Sequence, residues 1–306
     1  MRKLLIGGLM CALAATSASP QDQTPGRTYP LSFLDSSPYI DLSVPGYQWD
    51  VTGTFLFDTG ANISGVDGQW LTTSGVVWRS GMPTTVGGTT GNSSVSTAVL
   101  ESLSLGDGYF VNPSFLVEDF THFTSPAGKT QVGLLGTDFI SCYQVALDYV
   151  NGQVTLALAN ERGPSPRVNP VAVTYPYRLP TVTASVGWTS VPCRIDTGDS
   201  YSDSRPLLDV NQAFVDALMV SGTQLRSVGT ITVAGVSGQE DLTLLGGYGL
   251  TFSIGNATLW DVILVVHDQG TLAQESTPVA LAGSSLLARF GRFTLDPFDR
   301  LLWIGY

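Results

Sequence analysis

FLFDTGAN, residues 55–62, and CRIDTGDS, residues 193–200, decide how this chain is read. Each sets apolar residues directly before an Asp-Thr-Gly: Phe55, Leu56 and Phe57 before Asp58, and Ile195 before Asp196. One such tripeptide is an ordinary turn, because Asp and Gly favour turns and Thr is common in β proteins. Two of them, 138 residues apart (196 − 58), begin a longer repeat. VGGTTG from Val86 is answered by VAGVSG from Val233, and LESLSLGD by GLTFSIGN. GLLGTDF around Gly136 is answered by ALAGSSL around Gly283, and Asp148 by Asp296. The order is the same in both halves, and the later offsets are 147 to 149, which puts about nine extra residues after the second motif.

Two copies of one unit follow from this. ANERGPSPRVNP, residues 159–170, carries three prolines between apolar segments, as an exposed linker does. The expected organisation is a first lobe over 28–158, a linker over 159–168 and a second lobe over 169–306. Strands are expected at Phe55–Phe57, Val95–Leu105, Ser114–Val117 and Gln144–Leu147. A short helix is expected after Gly136, capped by Thr137 or Asp138, with a counterpart after Gly283. A longer helix is expected over Asp209–Leu218, where the extra residues of the second lobe lie.

An aspartate at the end of an apolar strand is presented from a rigid base at low solvent access. Two such carboxyls brought together cannot both ionise cheaply, so they share a proton and titrate as a pair. One can donate to a carbonyl oxygen while the other takes a proton from an attacking water. On these residues the chain resembles the pepsin and retropepsin superfamily of aspartic peptidases, over nearly the whole length after residue 18. The resemblance implies an all-β, bilobal aspartic-protease fold of two similar β-barrel-like lobes with short helices. It implies a hydrolase in which Asp58 and Asp196 are catalytic, with Thr59, Gly60, Thr197 and Gly198 supporting them. Leu134-Leu135-Gly136 and Leu281-Ala282-Gly283 would brace the pair. Flaps would form around Gly87, Gly88 and Thr89 and around Ala234, Gly235 and Val236, although a plain hairpin tip has the same sequence character. The short 28-residue distance from Asp58 to Val86, with no tyrosine between Val86 and Val95, leans toward retropepsin-like lobes in tandem. The implied substrate is a polypeptide, the implied state a monomer, and no cofactor and no metal are required.

One departure stands out: the residue after Gly198 is Asp199, where the superfamily places Ala, Ser or Thr and the first half has Ala61. Asp199 either turns away, into backbone, Arg194 or Arg205, or alters the second half. The alternative function is therefore a peptide-binding relative without turnover.

The rest of the sequence narrows the setting. Met1-Arg2-Lys3, an apolar run from Leu4 to Ala15 and small residues to Ala18 have the order of a secretory signal over 1–18. The run falls short of the roughly 20 residues of a membrane span, so the expectation is export, periplasmic or extracellular, with no membrane after signal cleavage. A net charge of −11 without clustered Lys or Arg argues against nucleic acid. Charged residues are only 13% of the chain, against about 25% in ordinary domains, which suits a Gly-, Ser- and Thr-rich β protein. Cys142 and Cys193 could pair in an oxidising compartment. His122 and His267 recur 145 residues apart without a ligand set, and are expected as loop residues rather than metal ligands. Asp148 and Asp296 each precede a turn and are expected to cap it. The sequons at Asn62, Asn92 and Asn256 are read as chance.

Overall fold

The computed structural model describes residues 26–306, apart from 89–90, 121–122, 124, 164–165, 167, 236–237 and 269. The expected signal, 1–18, lies outside the described residues, and the expected linker, 159–168, lies partly outside them. The fold is the all-β, two-lobed one implied by the repeat, and the repeat is visible as sheet register.

In the first lobe, Val51–Phe57 runs parallel to Gln131–Leu135, with Phe57 opposite Leu135. Gln131–Leu135 also pairs antiparallel with Gly65–Asp67, which in turn runs parallel to Ser114–Glu118. The second lobe repeats each pairing. Thr189–Asp196 runs parallel to Ala280–Gly283, which pairs antiparallel with Leu207–Asn211, itself parallel to Ile263–His267. Both parallel crossings are buried on two faces, which is why their strands read as apolar runs rather than alternating ones. Leu207–Asn211 is buried at all five positions.

The halves join through a shared set of strands. Arg27–Pro30, Gln153–Ala157 and Gln144–Asp148 lie side by side, followed by Arg292–Asp296, Leu301–Ile304 and Val171–Thr174. Val145 stands opposite Leu295 at the junction. Phe55, Phe57, Phe115 and Phe139 fill the first core, and Ile195, Phe214, Phe252 and Leu286 the second, all at most 1% exposed. Burying a side chain of this size contributes about 1.5–3 kcal/mol.

Asp148 accepts from the backbone N–H groups of Val150 and Asn151, and Asp296 from those of Phe298 and Asp299, so both cap their turns. Three expectations need correction. The long helix covers Gln212–Val220, because residues 209–211 are held in the central strand and Asn211 caps the helix by accepting from Phe214 N. Thr137–Ile140 is helical, but its cap residue is Gly136, and Asp138 accepts from Ser64 instead. His267 is no loop residue: it ends the strand Ile263–His267 and is 3% exposed, while His122 lies outside the described residues. Cys142 and Cys193 are not joined to each other, and Cys193 is fully buried within the second core, where burial pushes its thiol pKa up.

Candidate active site

Asp58 and Asp196 meet at the ends of the two parallel crossings. Asp58 N donates to Leu135 O at 2.9 Å, which ties the first carboxylate to its supporting strand, and Asp196 stands opposite Gly283 in register. Each carboxylate is held by the turn that follows it. Gly60 N and Ala61 N donate to Asp58 Oδ1 at 2.8 and 3.0 Å, and Gly198 N and Asp199 N to Asp196 Oδ1 at 2.9 and 3.1 Å.

The threonines lock the two turns together. Thr59 N donates to Thr197 Oγ1 and Thr197 N to Thr59 Oγ1, both at 3.0 Å. Thr59 Oγ1 donates across to Ile195 O at 2.7 Å, and Thr197 Oγ1 to Phe57 O. Both threonines are fully buried, so every donor in this cross-brace replaces one that water cannot supply.

The glycines are set by close approach. A Cβ on Gly60 would lie 2.0 Å from Asp196 Cγ, and one on Gly198 would lie 2.3 Å from Asp58 Cγ. Each carboxyl therefore rests against the backbone of the opposite motif, and the two face each other across the pseudo-twofold axis. Burial pushes both carboxyls above the ordinary range, and the charge of Asp58 pushes Asp196 further. The backbone donors pull the other way, so the pair keeps one proton into the range where an exposed aspartate has lost its own.

The sequence had no signal for several neighbours. Ser284, in the place of Thr137, donates to Thr197 O at 2.8 Å, and Tyr149 OH lies 2.9 Å from Ser284 Oγ. Ser37 donates to Ser200 Oγ at 2.7 Å. These contacts span 87 to 163 residues and arise only from register. Asp199 lies with neither Arg194 nor Arg205, which pair with Glu275 and Asp203. Its carboxyl turns toward Gly283, whose Cβ position lies 2.4 Å from Asp199 Oδ2.

Of the expected flaps, Gly87 and Gly88 end the strand Thr84–Gly88, which pairs with Gly91–Leu100, and Thr89 lies outside the described residues. The short helix Gly270–Ala273 of the second lobe packs against both strands of that hairpin. Ala234 and Gly235 end the strand Arg226–Gly235, paired with Gly238–Gly246, and Val236 lies outside the described residues. No group of three or more His, Cys, Asp or Glu poised for a metal ion occurs among the described residues.

An aspartyl protease family model matches residues 43–139, which contain the first motif and its supporting strand. No curated protein matches the sequence. Among solved structures, the aspartic proteinase from Irpex lacteus superposes with a TM-score of 0.54 at 15% identity, covering 91% of this chain and 96% of that one. A likeness at that identity speaks for the fold, and the family match speaks for the lobe that carries Asp58. The first lobe thus matches the aspartyl protease family, and the chain as a whole has the fold of an aspartic proteinase.

Proposed function

We propose that the protein is an aspartic endopeptidase in which Asp58 and Asp196 activate a water against a peptide carbonyl. The observation that carries the reading is the opposition of the two carboxyls, each seated against the glycine of the other motif and braced by the threonine cross-link. In the acid form one aspartate is ionised and one protonated. The ionised member takes a proton from the water as its oxygen attacks the carbonyl carbon, and the protonated member donates to the carbonyl oxygen. The tetrahedral species then collapses with the proton passing to the leaving amine. No covalent intermediate, metal or cofactor takes part in this scheme. The paired strands Thr84–Gly88 and Gly91–Leu100, backed by helix Gly270–Ala273, are suited to close over an extended peptide held by main-chain hydrogen bonds. We further propose an exported monomer, with residues 1–18 removed and a polypeptide as substrate.

The test is cleavage of an unfolded protein from pH 3 to pH 7, with and without a statine-type mimic of the tetrahedral state. Cleavage should be greatest in acid, be blocked by the mimic, and fall as pH rises through the raised pKa of the pair. Asp58→Asn and Asp196→Asn should each lose at least about 100-fold in kcat/KM, the scale of a lost general acid or base. Full activity in either variant would sink the proposal. A folded protein that binds the mimic and never cleaves would instead support the second reading, a peptide-binding relative, which Asp199 motivates.

A further inference from the structure

Asp199 stands three residues beyond Asp196, as Ala61 stands three beyond Asp58. Its backbone N–H serves Asp196, and its carbonyl accepts from Ser284 N at 2.6 Å, yet its carboxyl points into the second core. There it meets Asp209, which is 2% exposed. Asp209 lies opposite Leu281 as Gly65 lies opposite Leu134, so the first lobe has a glycine at this place. Phe120 packs there, with Cζ 3.1 Å from the Cβ position of Gly65. The second lobe therefore buries two carboxyls where the first has Ala61, Gly65 and a phenylalanine ring.

The carboxyls of Asp199 and Asp209 are hydrogen-bonding neighbours, and the Oδ2 atom of each is buried without a donor among the described residues. Two neighbouring carboxyls, each with an acceptor oxygen buried out of water and without a donor, are best satisfied by one proton shared between them. The other oxygen of Asp209 is fully served: Asp209 Oδ1 accepts from Tyr201 OH and lies 2.6 Å from His267 Nε2. His267 Nδ1 in turn lies 3.7 Å from Glu240 Oε1, on the strand Gly238–Gly246. The titratable groups that face this cluster are Asp58, Asp196, Cys193, Tyr201, Glu240, His267 and Asp268, and His267 is the cation among them. Burial opposes the charge on His267, but the hydrogen bond and charge of Asp209, with Glu240 and Asp268, hold its pKa above the ordinary value.

We propose that Asp199 and Asp209 form a second proton-sharing carboxyl pair, separate from Asp58 and Asp196, with its remaining charge held by imidazolium His267. The consequence for the dyad rests on the peptidase reading: while the pair holds its proton, the residue behind Asp196 is uncharged. The pair itself does not depend on turnover. Burial first, then the charges of Asp209 and Asp196, keep the Asp199 carboxyl protonated well above its ordinary range. A carboxyl raised in the folded state stabilises the fold fully below its unfolded pKa of about 3.9, and that stability is lost as pH rises through the folded pKa.

The experiment is urea unfolding of the full chain between pH 4.5 and pH 6, where free aspartate is ionised and His267 is protonated both folded and unfolded. Each proton released on unfolding raises the unfolding constant tenfold per pH unit. Asp199→Asn should reduce that slope by about tenfold per pH unit, one proton. Asp199→Ala, which restores the residue type of the first lobe, should do the same. The reduction should persist in the background of Asp196→Asn. A lost hydrogen bond alone would displace the curve in parallel. Slopes parallel to the parent in both variants would overturn the proposal, as would a reduction that vanishes once Asp196→Asn is present, since the proton would then be the dyad's. The readout needs no cleavage, so failure of the peptidase reading leaves it decisive.

Discussion

At the scale of single residues, the site depends on the glycines as much as on the aspartates. A methyl group on Gly60 or Gly198 would have to displace the opposing carboxyl, because its place lies 2.0 Å from Asp196 Cγ or 2.3 Å from Asp58 Cγ. Displacing a reacting group by about 1 Å costs on the order of 100-fold in rate. Gly60→Ala and Gly198→Ala should each lose at least about that factor in kcat/KM while unfolding cooperatively. A variant within tenfold of the parent would mean that the carboxyls are not opposed as described. Thr197→Val keeps the shape but leaves Phe57 O and Thr59 N without their partner. Each unsatisfied buried group costs about 1–3 kcal/mol, so urea unfolding should show a loss of at least about 2 kcal/mol. These residues were legible because Asp-Thr-Gly is a contiguous motif that the sequence states twice. Asp209, Tyr201, His267 and Glu240 were not, because contacts between residues up to 58 positions apart exist only once strands 207–211 and 263–267 are in register.

At the scale of elements, repetition exposed the strands and concealed their ends. The apolar runs before Asp58 and Asp196 announced buried parallel strands, and the Gly-centred segments announced their partners. The start of the long helix was missed because Asp209 and Asn211 have the character of helix-capping residues, while both lie in a strand clamped between Ala280–Gly283 and Ile263–His267. The two lobes then use equivalent caps to different extents. Asp67 accepts from Trp70 N at the helix and from Phe120 N at the adjoining segment. Asn211 accepts from Phe214 N and Val279 N and donates to Glu275 O and Thr277 O, pinning the segment that leads into Ala280–Gly283. Loss of an ordinary cap costs about 0.5–2 kcal/mol. Asn211→Ala should exceed the upper end of that range, since four bonds are broken, two of them buried. A loss of 1 kcal/mol or less, by about the lower cap value, would show that helix capping is its whole contribution.

At the scale of the molecule, the two aspartates belong to one chain whose halves are joined by main-chain pairing. Residues 145–148 are hydrogen-bonded to 292–295, and ion pairs from Arg292 to Asp148 and from Arg162 to Asp296 and Asp299 cross the same junction. The threonine cross-brace closes the site only when both motifs are seated on that common base. The sequence announced two lobes, but the central set of strands is built from segments as far apart as residues 27–30 and 301–304, and its order could not be read from spacing. This architecture makes a specific demand of the proposed peptidase. In a monomer, a chain carrying Asp58→Asn and a chain carrying Asp196→Asn each have one crippled site, and mixing them cannot build an intact one. If lobes instead paired between chains, the mixture would regenerate sites with both aspartates after unfolding and joint refolding. The expected outcome is that an equimolar co-refolded mixture cleaves no faster than the mean of the two variants, and that the parent elutes at the size of a single chain. Recovery toward a quarter or more of parental activity, about 1 kcal/mol short of full, would assign the site to two chains and displace the single-chain reading.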